Sequence, residues 1–117
     1  MTIITELSPR LEFLQRLAAA ELFDVKLLRR ETAEKVLTEK RMELVGEIGK
    51  GESESIRELS REVDRDFSSV SRDLDVLFEA NVIEYEEHGR RKKPVLAYQN
   101  VIVSPIVYQG KVLHEDE

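Results

Sequence analysis

Hydrophobic residues recur along the first quarter of this chain at every third or fourth position. The stripe that they form comprises Leu11, Leu14, Ala18, Leu22, Val25 and Leu28. This spacing predicts an amphipathic helix that begins at Ser8, a capping hydroxyl in front of Pro9. The helix is expected to run to about Arg30. The stripe indicates either a core helix or an arm that packs against a second copy of the chain, because little else nearby is left to cover it.

The same period returns in the next segment, "TEKRMELVGEIGKG". Its apolar residues, which are predicted to face inward, are Met42, Leu44, Val45 and Ile48. Thr32 and Thr38 are each placed to cap a turn or a helix. Gly49 and Gly51 provide a stop, so we expect a helix of about three turns after Thr38.

Two shorter helical patterns follow, separated by a break. In "SIRELSREVD", Ser55 and Glu58 have the spacing of a capping box. In front of "FSSVSRDLDVLFEAN", Asp66 is placed as a cap, and Asn81 ends the helix. The residues predicted to point inward are Ile56, Leu59, Val63, Val70, Leu74, Leu77 and Phe78. Two short amphipathic helices joined by a tight turn at Asp64 are typical of a helix-turn-helix.

After Asn81 the hydrophobic period changes to two residues. The runs "VIEYE" and "KPVLAY" flank "EHGR", where Gly89 supplies the positive φ of a tight turn, so this region predicts a β-hairpin. Pro94 cannot donate a ladder hydrogen bond, which assigns its strand to an edge or delays its start. The stretch "NVIVSPIVY" is also expected to be extended, and the polar "HEDE" after it to be disordered.

These elements predict a mostly α chain with a β-hairpin wing, an α+β winged helix-turn-helix with a long N-terminal helix. At 117 residues the chain is expected to build one core. We expect a helical arm for dimerisation over residues 1–37 and a DNA-binding domain over 38–98. An extended segment with an acidic tail is expected over 99–117.

The composition narrows the class of protein. The absence of cysteine excludes disulfides and thiolate metal sites and is typical of a reducing compartment. No stretch approaches the roughly 18 apolar residues that cross a bilayer, and the first residues do not resemble a signal peptide. A soluble cytoplasmic protein with no membrane partner is therefore expected. Because the net charge is −6, any surface that binds nucleic acid must be a local patch.

The second helix of the predicted pair offers such a patch on its outward face. The residues opposite the inward stripe are Ser68, Ser69, Arg72 and Asp75, with Ser71 at the margin. Small hydroxyls allow close approach to a double helix, and an arginine that forks onto a guanine contributes roughly 1–3 kcal/mol of base discrimination. Alternatively, Arg72 pairs with Asp73 or Asp75 on a solvated helix, an interaction worth less than about 1 kcal/mol.

Further basic residues extend the predicted surface. Arg57 in the first helix of the pair and Arg65 in the turn are expected to contact phosphates. Alternatively, they are ordinary solvated arginines, above all Arg57. The hairpin tip carries an unbroken basic run of Arg90, Arg91, Lys92 and Lys93. Such a run reaches a flanking phosphate or the minor groove, where the potential is most negative. Alternatively, it only protects the hairpin from edge-to-edge aggregation, with Glu84, Glu86 and Glu87 neutralising part of the charge across the strands.

Catalysis is not indicated by the residue types. The histidines are His88 at the hairpin tip and His114 in the tail, and neither has a partner at a catalytic spacing. Adjacent residues such as Glu86, Glu87 and His88 rarely supply a closed metal site. "GEIGKGES" lacks the spacing of a phosphate-binding loop. We expect no enzymatic activity and no cofactor.

Two stretches of the sequence carry a family resemblance. "LTEKRMELVGEI" and "SIRELSREVDRDFSSVSRDLDVLFEANVIEYEEHGRRKKPVLAY" resemble the winged helix-turn-helix regulators of archaea and bacteria, most closely a group of small MarR-like regulators. The resemblance implies a homodimer that binds double-stranded DNA through Ser68, Ser69, Ser71, Arg72 and the wing arginines. We expect a repressor, because occluding a promoter needs no added surface. Some similar proteins act as antitoxins, so a module whose main partner is a protein is the alternative.

Overall fold

A computed structural model describes residues 8–113 of the chain. Its helices are α1 (Pro9–Ala19), α2 (Arg30–Val36), α3 (Glu39–Lys50), α4 (Ile56–Glu62) and α5 (Phe67–Glu79). Its strands are β1 (Val25–Arg29), β2 (Ile83–His88), β3 (Arg91–Leu96), β4 (Asn100–Ser104), β5 (Ile106–Tyr108) and β6 (Lys111–Leu113). The "HEDE" tail lies outside the described residues. Within residues 8–113 no helix has the length and apolar character to cross a membrane.

The core lies where α3, α4 and α5 meet the start of the β2–β3 hairpin. Its most completely buried side chains are Leu44, Leu59, Val70, Leu74, Leu77, Val82 and Ile83. Each aliphatic side chain of this kind contributes roughly 1.5–3 kcal/mol by leaving water. A helix-turn-helix formed by α4 and α5 and followed by a hairpin confirms the predicted α+β winged helix-turn-helix.

Most of the predicted helix caps are confirmed. The side chains of Thr38, Ser55 and Asp66 accept hydrogen bonds from backbone amides three residues later, at 3.4, 3.1 and 3.0 Å. The prediction for Thr32 is wrong, because this residue lies inside α2, which begins directly after β1. The residue before α2 is Arg29, whose side chain makes no capping bond.

The turns around the helix-turn-helix depend on left-handed backbone conformations. Asp64 between α4 and α5 has φ 54°, and Asn81 after α5 has φ 63°. Polar residues with short side chains tolerate this region better than most non-glycine residues. At the hairpin tip the role falls to Gly89, with φ 66°. Pro94 lies in β3 opposite Tyr85, and because the sheet has two strands, both are edges, as predicted for the proline-containing strand.

Two apolar residues that were predicted to face the core do not reach it. Met42 and Phe78 are both largely exposed. Met42 precedes the buried Leu44 by two residues, which turns it roughly 200° around α3. Phe78 packs against Tyr85 of β2 instead, with the ring centroids 5.1 Å apart.

The long N-terminal helix predicted to reach Arg30 is wrong in its second half. The helix α1 ends at Ala19, and two residues of the following turn segment, Glu21 and Asp24, have positive φ. Residues 25–29 then form β1, which pairs in parallel with β4 in the register Val25 to Asn100 through Arg29 to Ser104. The β-branched run of β4 provides a partner that lies far along the chain, and this pairing overrides the local helical spacing.

The elements at the edge of the core form what we call the arm, residues 8–29 and 100–113, and only Leu28 of the arm belongs to the core cluster itself. The helix α1 packs on the β5–β6 hairpin, where the Phe13 and Tyr108 rings are 5.4 Å apart and the Tyr108 hydroxyl donates to Glu12 Oε1 at 3.4 Å. None of the residues of α1 is fully buried. The radius of gyration is 17.4 Å, whereas a compact chain of this length has about 13 Å. The arm therefore leaves much of its surface uncovered.

Candidate nucleic-acid interface

The outward face of α5 carries the side chains that the sequence singles out for base reading. Val70, Leu74 and Leu77 are buried on the inner side of this helix. Ser68 and Arg72 are exposed on the outer side, and Ser69 and Ser71 are half-buried at its edges. Among residues 8–113, Arg72 has no ion pair or hydrogen-bond partner. Its guanidinium is therefore available to a ligand.

Both aspartates that could neutralise Arg72 are bound elsewhere. Oδ1 of Asp73 lies 3.1 Å from Arg41 Nε, and its Oδ2 lies 2.6 Å from Arg65 Nη2. The side chain of Asp75 accepts a hydrogen bond from the Tyr85 hydroxyl at 3.1 Å. The alternative interpretation, in which Arg72 pairs with one of these carboxylates, is therefore not realised in the described residues.

Asp73 is the centre of a partly buried network. Its side chain is 18% exposed. Burial alone opposes ionisation of Asp73, but hydrogen bonds from Arg65 and Arg41 and their positive charges outweigh it, and the pKa of Asp73 is lowered. Arg41 also donates through Nη1 to the backbone oxygens of Lys35 and Val36, at 3.0 and 3.4 Å. The network thus ties α5 to α3 and to the C-terminal end of α2.

Arg65 occupies a different position from the one expected of a phosphate contact. Its side chain is only 14% exposed, and Nη2 donates both to Asp73 and to Ser69 Oγ, the latter at 2.8 Å. A guanidinium that is covered and paired with a carboxylate presents little charge to a phosphate. In this position Arg65 supports α5 from inside the domain, and its expected contact with a phosphate stays a prediction.

Basic side chains of α4 and of the wing converge beside the start of α5. They line a cleft of about 430 Å³, the basic cleft, formed by Arg57, Arg61, Phe67, Arg90, Arg91 and Lys92 together with Ser55, Ile56 and Glu58. The Arg57 guanidinium lies over the Phe67 ring, 4.7 Å from its centroid. Arg61 and Phe67 were not predicted here. The spacing of four residues between Arg57 and Arg61 puts both on one face of α4, and this spacing could have identified Arg61 from the sequence.

The four basic residues of the wing do not act as one group. Arg90, Arg91 and Lys92 line the basic cleft. Lys93 lies with its Nζ 3.1 Å from Glu54 Oε2, in the loop before α4. The predicted cross-strand partner Glu86 is opposite Lys93 in register, but its Oε1 lies 3.5 Å from His88 Nε2. Partial neutralisation of the run therefore occurs at Lys93, through a glutamate outside the hairpin.

The wing is fixed to α5 through Tyr85. The ring of Tyr85 packs on Phe78, and Lys92 Nζ lies 5.1 Å from the centre of the same ring. Burial and the hydrogen bond to Asp75 raise the pKa of the Tyr85 hydroxyl, which therefore stays a donor to that carboxylate. These contacts hold the basic cleft and the outer face of α5 in one fixed arrangement.

The fold and these surfaces define a winged helix-turn-helix domain. A solved structure with this fold is the solution NMR structure of the homodimeric winged helix-turn-helix DNA-binding domain Mb0332 from Mycobacterium bovis, a possible ArsR-family transcriptional regulator. The two chains are 14% identical, and the alignment covers 80% of this chain and 76% of that one with a TM-score of 0.52. At this identity the similarity establishes the fold.

The sequence itself identifies a family. The family model described as HVO_A0114 matches residues 36–103, which is more than half of the chain, so the protein belongs to that family. The matched range contains α3, α4, α5 and the wing. No curated protein matches the chain at a significant level. The MarR-like resemblance stays a prediction.

Proposed function

We propose that this protein is a sequence-specific DNA-binding regulator of transcription. The observation that carries the proposal is the state of Arg72, an exposed guanidinium on the outer face of α5 whose two neighbouring carboxylates, Asp73 and Asp75, are occupied by other partners. An unpaired arginine at this position suits a guanine edge, where it meets two acceptors in the plane of its fork.

In the proposed complex α5 lies in the major groove and the basic cleft lies on the flanking backbone. Ser68, Ser69 and Ser71 border Arg72 and allow close approach of the helix to the base edges. The cations of the basic cleft supply charge in a chain whose net charge is −6. The tip of the wing, at Arg90 and Arg91, reaches the adjacent backbone or minor groove.

We further propose that the protein acts as a homodimer that is joined through its arm. The exposed large apolar side chains of the arm are Leu11, Phe23, Val103, Val107 and Val112. A second copy of the same surface covers them most simply, since two-fold contacts repeat one patch on both subunits. The Mycobacterium bovis domain is homodimeric, which supports this assembly. The arm then carries the dimerisation role, and residues 38–98 carry DNA binding.

Repression is the proposed mode of regulation. A dimer bound across a promoter blocks access to it by occupancy alone. This mode requires only the DNA-binding surface and the arm, both of which are accounted for by the residues named above.

The proposal is tested by the salt dependence of binding to a random-sequence duplex. With about four phosphate contacts per subunit, the logarithm of the association constant should fall with the logarithm of salt concentration with a slope near −3 to −4 per subunit. A variant carrying Arg57→Gln and Arg91→Gln should reduce that slope by about 2 per subunit. Absence of binding at low salt would overturn the proposal and would indicate a module whose partner is a protein.

A further inference from the structure

The hydroxyl of Ser69 differs from those of the neighbouring serines because it already accepts a charged hydrogen bond. Arg65 Nη2 lies 2.8 Å from Ser69 Oγ. A guanidinium has no acceptor atom, so the oxygen of Ser69 must be the acceptor in this contact. The Ser69 O–H is left as a donor, and it donates no hydrogen bond within residues 8–113. Hydrogen bonds in series polarise one another, which strengthens the donor.

The Arg65 side chain is held in place by Asp73. The distance between Arg65 Nη2 and Asp73 Oδ2 is 2.6 Å, and the second carboxylate oxygen is bound by Arg41 at 3.1 Å. Arg41 is itself bound to backbone oxygens at the end of α2. The Asp73 carboxylate therefore cannot move toward the surface without breaking bonds on both sides.

We infer that Asp73 is a positioning residue that acts through Arg65 to present the Ser69 hydroxyl as a hydrogen-bond donor in the DNA groove. The inference rests on the proposed function and extends it to the kind of base that is read. The guanidinium of Arg72 likewise has only donor groups and contains no acceptor atom. The two side chains lie on neighbouring turns of α5, so this helix is built to recognise acceptor edges, such as guanine N7 and O6 or thymine O4, and not the amino group of cytosine.

The experiment is a double-mutant cycle read out on DNA. Duplex sites are first selected from a random pool by the unsubstituted protein, and each position of the best site is then replaced in turn. Ser69→Ala should lower discrimination at one base position about fivefold, as expected for one hydrogen bond. Asp73→Asn should lower discrimination at the same position, while affinity for a random duplex changes less than about twofold.

The double variant Ser69→Ala with Asp73→Asn distinguishes a positioning role of Asp73 from a general disturbance of the fold. If Asp73 acts through Ser69, the double variant should discriminate no worse than Ser69→Ala alone. Ser68→Ala is the matched control, because Ser68 lies on the same face without a bond to Arg65. The fold-losses of discrimination caused by Ser68→Ala and by Asp73→Asn should multiply in the double variant. Arg65→Met should reproduce the loss at the Ser69 position, and it replaces Asp73→Asn in the cycle if that variant does not fold.

Three results would overturn the inference. The first is a double variant whose loss of discrimination equals the product of the losses in Ser69→Ala and Asp73→Asn. The second is a loss of discrimination in Asp73→Asn that is spread evenly over all base positions. The third is the absence of any base position at which Ser69→Ala changes discrimination. Each of them leaves the proposed function standing as long as the unsubstituted protein selects a sequence. A protein that selects no sequence from the pool removes both proposals together.

Discussion

The hydroxyl oxygen of Tyr85 in the wing lies 3.1 Å from Oδ1 of Asp75 in α5. This bond has two effects. It fixes the wing against α5, and it occupies a carboxylate that lies one turn beyond Arg72 on the same exposed side. A side chain of the wing therefore helps to keep the arginine of α5 unpaired.

Tyr85→Phe tests this second effect. The phenyl ring keeps its packing on Phe78, so the free energy of unfolding should fall by only about 1 kcal/mol, as for one hydrogen bond. The released Asp75 lies within reach of Arg72, at the spacing where helix ion pairs form. Affinity for a selected duplex should therefore fall several-fold when measured by fluorescence anisotropy. Adding Asp75→Asn should restore it, and failure of this rescue would contradict the role given to Tyr85.

Arg72→Ala should remove base discrimination and leave weak binding. The preference for a selected duplex over a random duplex should fall by about 10- to 100-fold, the range for loss of a forked contact to guanine. Arg72→Lys keeps the charge but loses the fork, so it should retain affinity for the random duplex and still lose preference. Full sequence preference in Arg72→Ala would show that α5 does not read the bases.

Substitution of the wing arginines should lower affinity and leave base discrimination unchanged, which is the opposite of the result expected for Arg72→Ala. Arg90→Gln combined with Arg91→Gln should weaken binding to selected and random duplexes by nearly the same factor and reduce the salt slope by about 2 per subunit. Lys93→Gln is the matched control, because Lys93 is already paired with Glu54. An equal effect of the control would mean that the charge of the wing, and not its geometry, is what matters.

The lowered pKa of Asp73 links stability to pH. A carboxyl group whose folded pKa lies below its unfolded value stabilises the fold fully above the unfolded value of about 4, and this contribution is lost as pH falls through the folded pKa. Asp73→Asn should therefore cost roughly 1–2 kcal/mol of unfolding free energy at pH 7 and clearly less at pH 3. Urea unfolding at both pH values measures this, with the exposed Glu79→Gln as control. The same cost at both pH values would contradict the assignment.

The arm should control the oligomeric state. Val107 and Val112 face each other across β5 and β6, and they are 69% and 57% exposed. Val107→Asp should convert a dimer to a monomer in sedimentation equilibrium, since a charge cannot be buried unpaired in an apolar interface. Because the residue is exposed in the single chain, the helix signal in circular dichroism should be unchanged. Val107→Thr keeps the shape and should leave the dimer largely intact, and a dimeric Val107→Asp would exclude this face.

The winged helix-turn-helix could be predicted from the sequence because its signals are local. Thr38, Ser55 and Asp66 each lie next to the amide groups that they cap, and the stripe of Val70, Leu74 and Leu77 is complete within α5. Local patterns of this kind do not depend on how distant parts of the chain meet. Because Arg72 lies on the side of α5 opposite this stripe, its exposure could be predicted as well.

The arm and the Asp73 network could not be predicted because they depend on distant pairs. The strand β1 follows helical spacing, and only its pairing with β4 makes it extended. Arg41 and Asp73 are 32 residues apart in sequence, and neither lies in a recognisable motif. Without the fold, Arg65 could not be distinguished from an ordinary surface cation, and so its bond to Ser69 was missed.

The shielding of the Arg65–Asp73 pair has a practical consequence for handling the protein. Mobile ions weaken contacts between exposed charges far more than those between covered ones. High salt should therefore dissociate the domain from nucleic acid, while the contacts that hold α5 in its native position remain intact. Dialysis back to dilute buffer should return full activity at once, with no refolding step in between.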